Sequence, residues 1–193
     1  MLVEVVFLIQ ENLYIGPENG FTQEQWQNSR EGLYQPDIKK NGRFVLSSDV
    51  AGHEEELVRY YKDVIAKAKI HGKDIKKDSS HFWNRPKIHF PNGFTFSFPW
   101  YDRLIEARRL FEALSSSNCD GEVFSDLDQG WEVVFWRQDG MLYASEFDPD
   151  DETTRESFKF DHQPIKSQIV ELVPRVERII SILSDQLGND YWS

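Results

Sequence analysis

The dipeptide Asp139-Gly140 stands between two alternating runs, Trp131-Glu-Val-Val-Phe-Trp-Arg137 and Leu142-Tyr-Ala-Ser-Glu-Phe147. Asp-Gly accepts the positive φ angles of a two-residue hairpin turn, and strict alternation sends every second side chain of a strand to one face. Together they leave the chain little freedom. If these two residues form the loop, opposed positions sum to 279, so Trp136 faces Tyr143, Phe135 faces Ala144 and Val133 faces Glu146. With Asp120–Gly130 preceding them, the pattern predicts a β-meander over about 120–148. A further strand is expected at Ser157–Phe160, beyond an acidic loop.

Other segments give periodic signals of their own. Residues 2–9 are apolar and β-branched, as in a buried strand, and Arg43–Ser47 reads as a short one. In Phe94-Thr-Phe-Ser-Phe98, period two places the three phenylalanines on one face. Thr22 and Gln25 have capping-box spacing and open a short helix expected to run toward Gly32. From Ala51 to His71, Leu57, Tyr60, Tyr61, Val64 and Ala68 make one helical stripe, with acids in the first turns, lysines near the end and Gly72 as a cap. Pro99 is expected to open a helix carrying Leu104, Ala107, Leu110, Phe111 and Leu114.

The last long pattern, Pro164–Leu187, has heptad-like spacing at Ile165, Ile169, Leu172, Val176, Ile179, Leu183 and Leu187. Val173, Ile180 and Ile182 widen the stripe beyond a coiled-coil seam, and Pro174 removes one backbone hydrogen bond. A kinked core helix is favoured over a dimer seam, with Tyr191-Trp192 tucking back against the body. The expected architecture is α+β, a single domain over residues 1–193. It has an antiparallel sheet of about five strands with a C-terminal β-meander (about 120–148), helices packed mainly on one face, and a long kinked C-terminal helix.

Charge is segregated along the chain. Residues 1–100 hold 13 acids and 13 Lys/Arg, whereas residues 101–193 hold 20 acids and 9, which accounts for the whole net charge of −11. Within 120–152 eleven carboxylates face one cation, Arg137. A surface of that sign repels nucleic acid and anionic membranes and attracts basic proteins. The apolar run Met1–Ile9 is too short to span a bilayer, contains Glu4 and lacks the basic start of a secretion signal. The single Cys119 cannot form an intrachain disulfide. A soluble, cytoplasmic protein is expected, with no direct contact to nucleic acid or membrane.

The chemistry-bearing motifs are few. No phosphate-binding glycine loop, no Gly-x-Gly-x-x-Gly and no Gly-x-Ser-x-Gly occurs, so no cofactor is expected. His81, His89 and His162 lack zinc-ligand spacing, and Asp148-Pro-Asp-Asp-Glu152 lacks the spacing and central glycine of a calcium loop, so no metal is expected either. Cys119 sits beside Asp120, an unfavourable place for a nucleophile. Asp126, Asp128 and Glu132 stand close in sequence and keep open a carboxylate- or metal-dependent hydrolase.

The favoured reading is an acidic binding surface. Trp131, Phe135, Trp136 and Tyr143 interleave with the acids, and aromatics among charges can anchor a contact that the charges steer. The competing structural reading turns the aromatics to the core and leaves the acids as solvated surface. The expected partner-binding residues are Asp126, Asp128, Glu132, Trp136, Tyr143, Glu146, Asp148, Asp150 and Asp151. Small, acidic and α+β, the chain resembles in outline the bacterial immunity proteins that block cognate toxins. The resemblance implies a non-enzymatic inhibitor that covers the cationic active site of a basic toxin domain, typically one that handles nucleic acid.

Overall fold

The computed structural model describes all residues except 18, 19, 21, 76–78, 91, 92, 129 and 148–155. In chain order the strands and helices are β1 (Leu2–Leu8), β2 (Asn12–Tyr14), α1 (Gln23–Asn28), β3 (Arg30–Gly32), β4 (Lys40–Asn41), β5 (Phe44–Leu46), α2 (Ser47–Val50), α3 (Glu54–Ile70), β6 (Asn84–His89), β7 (Thr95–Ser97), α4 (Leu104–Ser116), β8 (Gly121–Asp128), β9 (Trp131–Gln138), β10 (Met141–Phe147), β11 (Glu156–Asp161) and α5 (His162–Leu187). The class is α+β, as the sequence predicts. A five-stranded antiparallel sheet runs in the order β4-β5-β1-β6-β7, and the C-terminal meander forms its own four-stranded sheet, β11-β10-β9-β8. No helix among the described residues is long and apolar enough to cross a membrane.

The chain divides into two compact units, one of residues Met1–Glu4 with Arg85–Pro174, the other of Val5–Asn84 with Arg175–Ser193. The first contains the meander. Asp139 and Gly140 take φ angles of 51° and 76°, the left-handed pair that a tight hairpin turn requires. The resulting register opposes Tyr143 to Trp136, Ala144 to Phe135 and Glu146 to Val133, as the loop position predicts. Alternation then buries Val133 and Phe135 on β9 and Leu142 and Ala144 on β10. Phe96 reaches Phe135 at 5.6 Å between ring centroids, and Phe94 stacks on Phe158 at 4.2 Å. Phe96 and Phe135 are fully buried, and each contributes roughly 1.5–3 kcal/mol of transfer free energy.

In the same unit α4 buries the expected stripe of Leu104, Ala107, Leu110, Phe111 and Leu114, but it starts at Leu104 and not at Pro99. The reason is a cap: the Glu106 carboxylate accepts from the backbone N–H of Asp102 at 2.7 Å and of Arg103 at 2.9 Å, while Arg103 stays extended.

The other unit, here the amino-terminal unit, packs α3 by Leu57, Tyr60, Tyr61, Val64 and Ala68, the predicted stripe, and Gly72 takes φ 63° behind it. Its aromatic core closes on the end of the chain. Phe82 stacks on Tyr191 at 4.0 Å, and fully buried Trp192 meets Tyr61 edge-on at 4.9 Å. The capping box of Thr22 and Gln25 is present, yet α1 stops at Asn28. Residues Arg30–Gly32 form β3 instead, because pairing with β2 satisfies backbone groups that a longer α1 would have held. Pro174 lies inside α5, where its ring deletes one hydrogen bond.

Candidate acidic contact site

Directly opposed residues of an antiparallel pair share a face, so the register sorts the acids of the meander. Phe124 opposes Phe135, which opposes Ala144, and these are buried. Asp126 opposes Val133, and Val133 opposes Glu146, so Asp126 and Glu146 belong to that same core-side face nearer the strand ends. Asp128, opposite Trp131, belongs to it as well. Glu132 opposes Leu127 and Phe147, and Trp136 opposes Glu122 and Tyr143; Glu132, Trp136 and Tyr143 therefore take the other face. The six described candidates split three and three. Asp148, Asp150 and Asp151 lie outside the described residues.

On the second face Trp136 and Tyr143 stack at 5.5 Å with an 11° interplanar angle, and the Lys159 ammonium stands 5.6 Å from the Tyr143 ring. The pair adds a few tenths to about 1 kcal/mol to the sheet. Both rings are half-buried, so they belong neither to the core nor to a bare surface.

The acids of β8 meet other elements. Asp126, Leu127 and Asp128 border a cleft of about 400 Å³ whose remaining lining is Trp100, Tyr101, Ile105, Glu106 and Arg109. One Asp126 oxygen accepts from Trp100 Nε1 at 3.0 Å and from the Tyr101 hydroxyl at 2.5 Å, and the other accepts from the Leu127 N–H at 3.1 Å. Burial, and then the hydrogen bond to Asp126, holds the Tyr101 phenol well above its ordinary range. Tyr101 thus stays a proton donor, and the Asp126 carboxylate is locked in one orientation. Nearby, Arg85 pairs with Asp102 at 2.9 Å, and burial pushes the Asp102 carboxyl up against that pairing.

Compared with protein families, curated proteins and solved structures, the chain matches none. The site therefore stands on its own geometry. It sets three carboxylates (Glu106, Asp126 and Asp128) against one guanidinium, Arg109. Two unusually exposed apolar side chains, Ile105 at 56% and Leu127 at 66%, stand beside them. Glu106 is spent on the α4 cap and Asp126 on three donors, so neither is poised as a base. Among the described residues no group of three or more His, Cys, Asp or Glu could hold a metal ion.

Reading the sequence by proximity missed Trp100, Tyr101, Ile105 and Arg109. One signal was present: Ile105 falls off the apolar stripe of α4, and an apolar residue on the wet side of a helix marks a contact.

Proposed function

We propose that the protein is a non-enzymatic acidic binding protein that neutralises a basic protein partner, in the manner of an immunity or antitoxin-like inhibitor of a toxin. The supporting observation is the β8–α4 cleft, in which an immobilised carboxylate, Asp126, stands with Asp128 beside exposed Ile105 and Leu127. A lysine or arginine of the partner would lay its aliphatic stem on the two apolar side chains and its charge against the acids. Because Asp126 is already ordered, binding costs little side-chain entropy there. The charge excess of residues 101–193 would speed encounter by roughly 10–10³-fold at low salt.

The test is capture of partners from the native organism at low and high salt, with the wild-type chain and an Asp128→Asn/Leu127→Ser variant. A basic protein held by the wild type at low salt, released by high salt, inhibited in its own activity and lost by the variant is the expected outcome. Absence of any basic protein at low salt, or equal retention by the variant, sinks the reading.

A further inference from the structure

Another cleft, of about 690 Å³, lies wholly in the amino-terminal unit and has the opposite chemistry. Its charged lining is Arg30, Arg43 and Lys73 against one acid, Glu11, in a chain whose net charge is −11. Two aromatic rings form one side. The Arg30 guanidinium carbon sits 3.4 Å from the Trp26 ring centroid, and the Trp26 and Tyr14 centroids are 6.5 Å apart. Tyr14 is held by donating its hydroxyl to the Pro17 carbonyl at 2.8 Å. A Cβ on Gly16 would fall 2.5 Å from the Tyr14 hydroxyl oxygen and 2.8 Å from Ser29 Cβ, so only glycine lets that ring lie where it does. Lys73 donates to the Gly16 carbonyl and stands 5.6 Å from the Tyr14 ring.

The polar side of the cleft is equally built. The Gln10 backbone N–H donates to the Tyr60 hydroxyl at 2.9 Å, and that hydroxyl is hydrogen-bonded to His81 Nδ1 at 3.2 Å. His81 lines the cleft and is only 7% exposed, and burial pulls its pKa down to about 4, so it stands there as a neutral ring. Gln10 Nε2 donates to Ser80 Oγ at 2.7 Å, and Asn12 and Ser79 complete a set of groups suited to hydroxyls. The volume lies within the roughly 300–1,000 Å³ of small-molecule sites.

We propose that this cleft binds a phosphorylated nucleoside, with its planar ring against the Tyr14–Trp26 side, its phosphate held by Arg43 and Lys73, and its sugar hydroxyls met by the Gln10–Ser80 side. Arg43 is exposed and makes no ion pair among the described residues, so it is available to an incoming anion. The site is independent of the acidic cleft.

Titration calorimetry of the full chain at low salt tests it, with adenosine and uridine monophosphates, adenosine alone and inorganic phosphate as probes. A monophosphate binding at least tenfold tighter than adenosine or phosphate is expected. Arg43→Ala should weaken it about tenfold, or about 1.4 kcal/mol. Trp26→Ala should weaken the monophosphate and leave phosphate unchanged. Both positions are exposed, and thermal melts followed by circular dichroism check that the variants fold. No heat with either monophosphate at millimolar concentration, equal affinity for phosphate and monophosphate, or an Arg43→Ala variant that binds like the wild type would each overturn the proposal.

Discussion

In the meander unit a buried tyrosine, Tyr101, donates a hydrogen bond to Asp126; in the amino-terminal unit another, Tyr60, is hydrogen-bonded to His81. Both phenols are pushed up by burial and so remain protonated. What differs is the group bonded to the phenol. The carboxylate that accepts from Tyr101 is held in one orientation, and the cleft it borders presents acids beside apolar surface. An imidazole kept neutral by burial brings no charge, and the sign of its cleft comes from arginines and a lysine around it. One hydrogen-bonding device therefore yields two opposite recognition surfaces, because the group bonded to the phenol decides whether charge is built in or supplied from the rim.

The comparison rests first on two intact cores. Phe135→Ala in the meander unit and Trp192→Ala in the amino-terminal unit each remove a fully buried ring and should cost about 3–5 kcal/mol, read by urea unfolding. A loss below about 1 kcal/mol for either would show that its ring does not anchor the unit.

A pH series separates the two groups next. The folded-state pKa of His81, about 4, lies below its ordinary 6.5, so between these values the unfolded chain binds more protons. Its contribution is full above about pH 6.5 and is lost as the pH falls toward 4, by at most about 3 kcal/mol. Burial lowers His89 and His162 too, with the same sign, and those terms remain when His81 is replaced. His81→Gln should flatten the stability-against-pH curve over that window; an unchanged slope would mean the ring is not kept neutral by folding.

The smallest effect is the sharpest comparison. Tyr101→Phe strips a donor from a carboxylate and should cost about 2 kcal/mol, because bonds to charged acceptors are the stronger ones. Tyr60→Phe loses two neutral bonds, with the Gln10 N–H and with His81, and should cost about 1 kcal/mol for each. A cost per hydrogen bond no larger in Tyr101→Phe than in Tyr60→Phe, by denaturant unfolding, would erase the distinction.

Much of the fold was legible because it depends on local periods. Asp139-Gly140 gave the hairpin register, and stripes of apolar residues gave the buried faces of α3, α4 and α5. Element ends were less legible. α1 yields to β3, and α4 waits for the Glu106 cap, since both ends are chosen by a competing partner for the same backbone groups. The candidate site was legible in its acids and not in its arrangement. Closeness in sequence grouped Asp126 with Glu132, whereas the pleat puts them on opposite faces and gives Asp126 to Trp100 and Tyr101.

The sequence by itself determined the class, the hairpin register and the concentration of negative charge in the second half, since turn chemistry, side-chain period and charge count are local properties. Only the tertiary structure decided which acids face which neighbours. It brought α4 beside β8 to make an acidic, apolar-edged cleft, and it gathered residues from Gln10 to His81 into a cationic one. Both clefts join groups distant along the chain, and such encounters are fixed by packing and by the satisfaction of buried polar groups, which no single segment encodes.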